Sequence, residues 1–389
     1  MHPFEAAALA ALDSAGASSS ACYIAALSGG ADSSALTAAL AALKTAGKIG
    51  ALSAVHVNHG IRSAAECAAD EESARVLCAA RGIPLAVAAI PAGRAAEYAR
   101  VYHTGMEAAA RYFRHKALRA EQKRRGAAWI LALAHTRDDV LENVLMAVLR
   151  GAGPAGLGAM RLRGRGLVRP LIALGRAEVL AYLADSGITY RDDASNADTR
   201  YLRSRVRAKL VPLLDAEFPH WRKPLLRLWE TQGLAADALA AETADVPEAE
   251  AASGTRAVVI AESDLAAMPL IRAEETLFRA CNRLGGSRIP RDVSRRFLRG
   301  EKAADLGKGF RLERKGGAVI VSAPAVQSPE APGPSPHTKK TETAERPAPS
   351  PLIEGFSVLI KKPGVYKLKT CTIEARQETG GEWVFAVYR

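Results

Sequence analysis

The residues with the clearest potential for chemistry form a glycine-rich segment near the start of the chain. The segment lies between an apolar run and an alanine-rich helical pattern, and it consists of Ser28, Gly29, Gly30, Ala31, Asp32 and Ser33. Two glycines let backbone N–H groups approach an anion closely, and a helix that begins there adds a partial positive charge. These residues therefore predict a site that binds phosphate groups.

An aspartate in this segment stands where a phosphate-binding loop usually has a lysine. The segment matches neither the G-x-G-x-x-G fingerprint nor the G-x-x-x-x-G-K-[ST] loop. Mg²⁺ favours one or two carboxylates together with phosphate oxygens, so Asp32 is a candidate ligand for a magnesium ion that neutralises the phosphates. The alternative is that Asp32 only complements the dipole of the helix that it begins.

Two further polar clusters lie at a predicted strand end and on a predicted helix. His56 begins the sequence HVNHGIR, where histidine and asparagine could contact a nucleotide, although His56 and His59 could also bind a metal. Glu107 and Arg111 are one helical turn apart in MEAAARYFRHKAL, a spacing that equally suits an ordinary surface ion pair. Neither cluster is specific by itself.

A fourth cluster combines one histidine with three acidic residues. The sequence AHTRDDVLEN contains His135, Asp138, Asp139 and Glu142 at the start of a helical pattern. Acidic residues at a helix start can simply cap it. At the carboxyl end of a strand, the same residues could provide a second metal contact or bind a cationic substrate.

A basic segment follows at residues 192–212. Tyr201 accompanies a set of cationic side chains that comprises Arg200, Arg203, Arg205, Arg207 and Lys209. Arginine and an aromatic ring suit contacts to phosphates and stacking on bases, so the segment predicts nucleic-acid binding. A solvated basic helix is the alternative.

The elements that must position these clusters alternate between strand and helix. Strands are predicted at Cys22–Leu27, Ala51–Val57, Leu85–Ile90, Trp129–Ala134 and near Leu167–Leu171. Helices are predicted at Asp32–Thr45, Ala64–Ala80, Gly105–Arg124, Asp138–Leu149 and Arg176–Asp185. This alternation predicts an α/β fold with a doubly wound, mainly parallel sheet covered by helices. Ligands of such sheets bind beyond the carboxyl ends of the strands.

Composition divides the chain into four parts. Residues 1–215 are predicted to form the catalytic domain, and helical patterns such as Pro224–Ala244 and Ile271–Leu284 predict a helical domain over residues 216–322. Residues 323–351 contain eight prolines and almost no large apolar residues, which predicts a disordered linker. Residues 352–389 contain two strand-like runs and predict a small C-terminal module, while RGAGPAGLGAM at residues 150–160 predicts a loop.

Overall composition restricts the class of protein. The chain has 389 residues, 49% of them hydrophobic, and a formal net charge of +12, which favours a polyanionic partner. Its five cysteines include no C-x-x-C pair, which argues against a zinc site, an iron–sulfur site or a disulfide framework. The first residues predict a short amphipathic helix rather than a signal peptide, and no apolar run approaches the roughly 18 to 20 residues of a membrane span. We expect a cytoplasmic protein.

Taken together, these motifs resemble the tRNA(Ile)-lysidine synthetase family, within the PP-loop superfamily of N-type ATP pyrophosphatases. The matching motifs are, in order, S-G-G-x-D-S, H-V-N-H-G-[LI]-R, E-A-x-A-R-x-x-R and A-H-x-x-D-D-x-x-E. They are followed by L-R-G-x-G-x-x-G-L-x-G-M, R-P-L and D-x-S-N-x-D-x-R-Y-x-R-x-x-[IV]-R. The resemblance covers residues 21–212, and the ordered combination is much more specific than the glycine-rich segment alone.

The resemblance implies a Rossmann-like catalytic domain, a tRNA-binding helical domain, and a ligase that forms a C–N bond in two steps. ATP, with Mg²⁺ as cofactor, adenylates the C2 oxygen of the wobble cytidine in the CAU anticodon of tRNA(Ile). The ε-amine of free L-lysine then displaces AMP and leaves lysidine, which pairs with A instead of G and so changes codon specificity from AUG to AUA. Whether the chain forms a homodimer is left open by the sequence.

The same resemblance implies roles for the candidate residues. ATP would be bound by Ser28, Gly29, Gly30, Ala31, Asp32, Ser33 and His56, and Mg²⁺ by Asp32 and Asp139. The residues implied in catalysis are Asp32, Asp139, Glu142 and Arg111. Lysine or tRNA would be bound by Glu107, His135, Asp138, Arg200, Arg203, Arg205 and Arg207. Asp139 and Glu142 would also attract the ammonium group of lysine.

Three positions depart from the family pattern, and three rival functions remain. Val140 and Asn143 replace Gln and Thr, and Ser204 replaces Asn, without loss of a carboxylate or an arginine. A sulfur-inserting tRNA enzyme is disfavoured because the chain lacks a C-x-x-C pair. Intact acidic residues argue against an RNA-binding protein with a vestigial nucleotide fold. The arginine-rich segment argues against a metabolite amidotransferase or synthetase.

Overall fold

The computed structural model describes two units of the chain, residues 1–325 and 326–389. The described residues are 1–17, 19–60, 63–102, 104–191, 202–242, 248–250, 256–286, 289–307, 309–324, 364–367, 372–377 and 383–388. Over these residues, the helices are too short or too polar to cross a membrane.

A six-stranded sheet forms the centre of the first unit. Its strands are β1 (Cys22–Ala26), β2 (Leu52–Asn58), β3 (Leu85–Ala89), β4 (Trp129–Ala132), β5 (Arg163–Gly164) and β6 (Leu167–Val168). The order across the sheet is β3-β2-β1-β4-β6-β5, and every neighbouring pair is parallel except β5 and β6. The predicted doubly wound, mainly parallel sheet is confirmed.

Eight helices accompany the described part of this sheet. They are α1 (Pro3–Ser14), α2 (Ala31–Thr45), α3 (Ala64–Ala80), α4 (Arg94–Val101), α5 (Met106–Arg125), α6 (Arg137–Leu149), α7 (Pro154–Leu157) and α8 (Arg176–Asp185). Helix α4 is an element that was not predicted, and it buries only Ala95. The loop predicted at residues 150–160 contains the single turn α7, which Pro154 initiates because its fixed φ suits the first helical position.

Apolar side chains cover both faces of the central sheet. In β1, Tyr23 and Ala25 belong to the core that includes residues of α1, α2 and α8, whereas Ile24 packs with Leu118 and Leu131 in a second core. This alternation follows from the two-residue period of a strand. Because β1 pairs with both β2 and β4, the direction of winding reverses there, and the segments after β1 and β4 flank a crevice at the carboxyl edge.

A helical segment and a long helix follow the sheet. The first comprises α9 (Leu202–Arg205), a π-helical turn at Val206–Leu210 and α10 (Val211–Glu217), and the second is α11 (Arg222–Glu242). Pro212 has no N–H to donate to the carbonyl four residues earlier, which disfavours a regular α-helix at this point. The indole N–H of Trp229 in α11 donates to the carbonyl of Ala159 at 2.7 Å and fixes α11 against α7.

The rest of the first unit is a second α/β layer. Its sheet has the order β7-β8-β11-β10-β9, with strands β7 (Glu248–Glu250), β8 (Arg256–Ala261), β9 (Ala303–Gly307), β10 (Phe310–Lys315) and β11 (Ala318–Ser322). Helices α12 (Glu262–Ala267), α13 (Leu270–Arg283) and α14 (Arg291–Leu298) contribute to the same core. The description of residues 216–322 as helical is therefore incomplete. The alternation of apolar and basic residues in β10 is typical of a half-buried strand.

The second unit is a three-stranded antiparallel sheet. Its strands are β12 (Gly364–Lys367), β13 (Thr372–Gln377) and β14 (Trp383–Tyr388). The sequence analysis predicted strands in the stretches that contain β12 and β14 and did not predict β13. Nearly all of the linker predicted at residues 323–351 lies outside the described residues. The domain boundaries at residues 215, 322 and 351 remain predictions.

A glycine pair provides a test of how α11 docks on the catalytic domain. A Cβ atom at Gly158 would overlap the backbone of Gly233, so Gly158→Ala must push the two segments apart. We expect this substitution to lower the free energy of unfolding by about 1 to 3 kcal/mol, the usual effect of overpacking. Gly105→Ala is the control, because no atom lies within 4 Å of the added carbon. Equal stabilities of the two variants in urea unfolding would contradict this packing.

Candidate active site

The glycine-rich segment forms a tight turn between β1 and α2. Gly29 has φ of +92°, a left-handed conformation that favours glycine. Ser33 Oγ donates to the carbonyl of Gly30 at 2.9 Å and accepts from the backbone N–H of Ser28 at 3.1 Å. Gly30 is the N-cap of α2 and has no side chain to cap the first turn. The first N–H groups of α2 are therefore suited to an anion.

His56 is buried in β2 beside this turn. Its Nδ1 lies 3.0 Å from the carbonyl oxygen of Leu27, and only 3% of the residue is exposed. The carbonyl can only accept, so Nδ1 carries the proton and Nε2 is an acceptor. Burial lowers the pKa of His56, which keeps the ring neutral at neutral pH. The ring links the end of β1 to β2 at the edge where the turn begins.

The acidic cluster lies at the start of α6, just after β4. Asp139 Oδ2 accepts from the backbone N–H of Thr136 at 2.8 Å, which forms a capping box. Asp138 Oδ2 accepts from the backbone N–H of Arg176 at 2.7 Å and thereby caps α8. Glu142 is one turn further along α6 and is only 4% exposed. Both the capping interpretation and a site at the strand end are consistent with these positions.

Two arginines from the basic segment pair with the carboxylates of α6. Arg203 donates from Nη2 to Asp139 Oδ1 at 2.5 Å and from Nε to Glu142 Oε2 at 2.8 Å. Arg207 donates from Nε to Glu142 Oε1 at 2.5 Å and from Nη2 to Glu142 Oε2 at 2.9 Å. Both oxygens of Glu142 are therefore bound by guanidinium groups in a bidentate arrangement, which is the geometry that arginine offers a carboxylate.

Asp32 is joined to the same region by a third arginine. Arg176, the first residue of α8, donates from Nη1 to Asp32 Oδ1 at 2.7 Å. Burial is the largest cause of the raised pKa of Asp139, and Arg203 and the Thr136 N–H oppose it. Glu142 and Asp32 lie close enough to Asp139 to raise this pKa further.

A cationic group of side chains completes the crevice. Desolvation and the nearby Arg203 lower the pKa of Arg111, and Glu107 opposes this shift. The pKa of Arg114 is lowered in the same way, first by desolvation and then by Arg111. These arginines therefore lie close to one another, which suits the group to an anionic ligand such as a phosphate.

His135 lies between the acidic and the cationic groups. Its Nδ1 accepts from Nε of Arg169 at 3.1 Å, which leaves the proton on Nε2. Burial, followed by Arg169 and Arg111, lowers the pKa of His135 to about 3. The ring is therefore neutral near pH 7 and can donate one hydrogen bond from Nε2, but it cannot act as a cation.

The structure brings most of the predicted site residues to one sheet edge. Arg203 and Arg207 are four residues apart and face α6, whereas Arg205 lies two residues from each and is exposed on the other side. Arg200 lies outside the described residues. Sequence reasoning assigned no role to three arginines that contact the site: Arg169, Arg176 and Arg191. The R-P-L motif contains Arg169, but no pattern marks the other two.

Arg191 connects the turn to the basic segment. Its backbone N–H donates to the carbonyl of Gly29 at 3.1 Å, and its Nε donates to Asp70 Oδ1 at 2.8 Å. These two contacts hold Arg191 beside the glycine-rich turn.

The residues present fit a magnesium–nucleotide complex better than a metal site built of protein alone. Across the described part of the chain, no three His, Cys, Asp or Glu side chains converge as metal ligands. Asp32 and Asp139 together supply two carboxylates, and Mg²⁺ typically completes such a set with water and phosphate oxygens. The turn and the first N–H groups of α2 are the matching anion site.

Comparison with known proteins identifies the class first. Residues 3–214, more than half of the chain, match the sequence profile of the PP-loop domain. This range contains the glycine-rich turn, the acidic cluster and the basic segment. The fold and the site therefore define a PP-loop domain.

Curated relatives then identify the family. A tRNA(Ile)-lysidine synthase from Nitratidesulfovibrio vulgaris is 36% identical over 288 residues, which span 72% of this chain and 81% of the relative. A tRNA(Ile)-lysidine synthase from Treponema pallidum is 34% identical over 383 residues, or 93% of this chain and 76% of the relative. The chain belongs to the tRNA(Ile)-lysidine synthase family.

One solved structure has a related arrangement. A U34-tRNA thiolase from Methanococcus maripaludis is 20% identical, with a TM-score of 0.47, over 59% of this chain and 76% of that chain.

The buried carboxylate of Glu142 generates a stability prediction. Glu142→Gln removes its charge and leaves two guanidinium groups unbalanced, so we expect a loss of about 3 kcal/mol in the free energy of unfolding. The double variant Arg203→Gln/Glu142→Gln should lose less than the sum of the single variants, because the pair is coupled. Asp292→Asn is the control, since its ion pair with Arg296 is exposed and should contribute about 0.5 kcal/mol or less. Additive losses in urea unfolding would argue against the network.

The depressed pKa of His135 generates a pH prediction. Below pH 6.5 the unfolded chain binds a proton at this ring, whereas the folded chain does so only near pH 3. The free energy of unfolding should therefore fall as the pH falls through this window, and the contribution is fully present above pH 6.5. His135→Gln cannot titrate and should show a shallower fall between pH 6.5 and 4. If the free energy of unfolding falls equally with pH in the wild type and in His135→Gln, the buried environment assigned to His135 is wrong.

Proposed function

We propose that this chain is a tRNA(Ile)-lysidine synthase that joins free L-lysine to the wobble cytidine of a tRNA(Ile) with a CAU anticodon. The observation that carries the proposal is the meeting, at one sheet edge, of a phosphate-binding turn and a buried pair of carboxylates that binds cationic side chains. Membership of the tRNA(Ile)-lysidine synthase family supports the choice of substrates.

In the first step the C2 oxygen of the cytidine attacks the α-phosphorus of ATP. The bond from that phosphorus to the bridging oxygen breaks, and pyrophosphate leaves. The turn at residues 28–33 holds the pyrophosphate through backbone N–H groups, and Arg111 and Arg114 balance its charge. Mg²⁺, when held by Asp32 and Asp139, supplies further neutralisation of the phosphates. Nε2–H of His135 is placed to donate to the nucleotide or the base.

In the second step the ε-nitrogen of lysine attacks C2 of the activated cytidine. The C2–O bond breaks, AMP leaves with the oxygen, and the nitrogen loses a proton. Glu142 binds two guanidinium groups in this structure, so the ammonium group of lysine would displace one of them to contact this carboxylate. Burial raises the pKa of Asp139, and when this carboxylate is not bound to Mg²⁺ it would accept the proton that the lysine amine must release.

Charge and position support tRNA as the partner. The formal net charge of +12 favours a polyanion, and the exposed Arg205 lies on the basic segment beside the site. We retain Arg200, Arg205 and Glu107 as candidate contacts to tRNA or lysine. A cytoplasmic location is proposed because the tRNA substrate is found there. The structure contains one chain, and a homodimer remains an open expectation.

The proposed reaction is tested by the fate of radiolabelled ATP. The protein is incubated with α-labelled ATP, Mg²⁺, L-lysine and tRNA(Ile) that carries a CAU anticodon, and AMP is separated by thin-layer chromatography. We expect multiple turnovers of AMP only when both tRNA and lysine are present. If AMP forms at the same rate without tRNA or without lysine, or if no AMP forms at all, the proposal is rejected.

Asp32→Asn separates catalysis from binding. The substitution keeps the shape of the side chain but removes its charge, so we expect at least a hundredfold loss of AMP formation, in the range seen when a charge-stabilising group is removed. Binding of tRNA in a filter assay should change by less than about threefold, because the contacts to RNA lie elsewhere. Asp264→Asn on the exposed face of α12 is the matched control. An equal loss of AMP formation and of tRNA binding would indicate a folding defect instead.

A further inference from the structure

A cluster of aromatic rings lies where α4 packs against α5. Tyr98 is at its centre, with ring centroids 4.4 Å from Tyr102, 4.5 Å from Tyr112 and 5.4 Å from Phe113. The rings of Tyr98 and Tyr112 are nearly parallel, at 16°. We call the four residues the tyrosine patch. Neither the sequence motifs nor the proposed reaction uses them.

The outer rings of the tyrosine patch face solvent. Tyr102 is 52% exposed and Tyr112 is 44% exposed, and the adjacent Val101 is 51% exposed. Only Ala95 of α4 is buried, so this helix contributes almost nothing to either core. Rings that served only to stabilise the fold would be expected to lie inside it. Exposed rings that pack against one another instead offer a surface on which a planar group, such as a base, could stack.

The patch lies next to the proposed active site. Helix α4 follows the carboxyl end of β3, the same edge of the sheet that carries the glycine-rich turn and the start of α6. Tyr112 adjoins Arg111 on α5, and Arg111 is close enough to Arg203 for each charge to affect the other. A molecule with its reacting base in the crevice would therefore extend over the patch.

The net positive charge around the tyrosine patch favours an anionic partner. Residues 94–125, which form α4, α5 and their connection, contain nine lysines and arginines against three glutamates. Exposed aromatic rings among arginines suit single-stranded nucleic acid, whose bases stack on the rings while its phosphates contact the cations. An apolar peptide would use the rings but not the charge, and a second copy of this basic surface would repel the first.

We propose that Tyr102 and Tyr112, supported by Tyr98, stack on unpaired bases of the RNA loop that flank the reacting cytidine. The inference rests on the proposed function for the identity of the RNA, and it names the surface that holds the loop open. Stacking holds the neighbouring bases on the tyrosine patch, so that only the cytidine base enters the crevice. The tyrosines are positioning residues and take no part in bond formation.

The test uses the full chain and two RNA hairpins. Each hairpin carries the loop of the CAU anticodon arm, and one has abasic sites on both sides of the cytidine. With the intact hairpin, Tyr102→Ala and Tyr112→Ala should each raise KM about tenfold, the effect of losing one base–aromatic stack, with kcat nearly unchanged. Tyr102→Trp and Tyr112→Trp should stay within about twofold of wild type, since a larger ring still stacks.

The controls separate stacking from folding. Val76→Ala removes a side chain that is 56% exposed on α3, and it should leave KM, kcat and the unfolding temperature unchanged. On the abasic hairpin, the alanine variants and the wild type should have the same raised KM. An equal loss on both hairpins, or an unchanged KM for the alanine variants, would overturn the proposal.

A second readout does not depend on catalysis. The base 2-aminopurine is placed beside the cytidine in the hairpin, and its fluorescence should fall when wild-type protein binds without ATP and should not fall with Tyr112→Ala. If the wild type makes no AMP but quenches the probe, the proposed reaction fails and the stacking surface stands. If AMP forms with tRNA and lysine but the probe is not quenched, the stacking inference fails alone.

Discussion

The structure of the site depends on the neutralisation of a carboxylate that has almost no access to water. Glu142 is 4% exposed, and a buried ionised carboxylate without a partner costs several kcal/mol. Arg203 and Arg207 bind both of its oxygens, so the helical segment that carries them must lie against α6. This requirement places the basic segment at the carboxyl edge of the sheet, within reach of the glycine-rich turn.

The same interaction explains why the acidic and basic motifs belong to one site. A buried ion pair is seldom more stabilising than an apolar pair of equal size, so its presence is better explained by chemistry than by stability. Asp139 serves two purposes, because one oxygen caps α6 and the other contacts Arg203. The reversal of winding between β1 and β4 then sets the glycine-rich turn opposite these carboxylates. The turn proposed to bind phosphate and the carboxylates that bind arginine thus meet across a single crevice.

Much of the catalytic fold could be predicted from the sequence. Apolar runs of four to seven residues, separated by amphipathic helices, required a parallel sheet, and Ala64–Ala80 and Arg176–Asp185 are helices with the predicted bounds. The single-turn helix at Pro154–Leu157 and helix α4 escaped prediction because they bury few side chains or none. Strand β10 was missed because basic residues alternate with its apolar ones at Phe310–Lys315, whereas the apolar runs of β8 and β11 are a strand signal that was passed over.

The sequence predicted which residues form the site but not which side chains pair with one another. Motifs identified Asp32, Asp139 and Glu142, since acidic residues at strand ends are a local signal. The partner of Asp32, Arg176, is 144 residues away and lies at an ordinary helix start, so only the folded chain shows the contact. The pairing of Arg203 and Arg207 with carboxylates, rather than with solvent, likewise depends on burial that no spacing rule describes. The tyrosine patch depends on a helix that the sequence did not predict.

The most direct measurement of the central claim is the mass of the modified nucleoside. The CAU-anticodon tRNA(Ile) is incubated with the protein, ATP, Mg²⁺ and isotopically labelled lysine, digested to nucleosides and analysed by mass spectrometry. The account predicts that one cytidine per tRNA gains the mass of lysine less one water, carries the label, and forms with one AMP and one pyrophosphate. An unlabelled product, a nucleoside that has exchanged oxygen for sulfur, or AMP without a changed cytidine would contradict it.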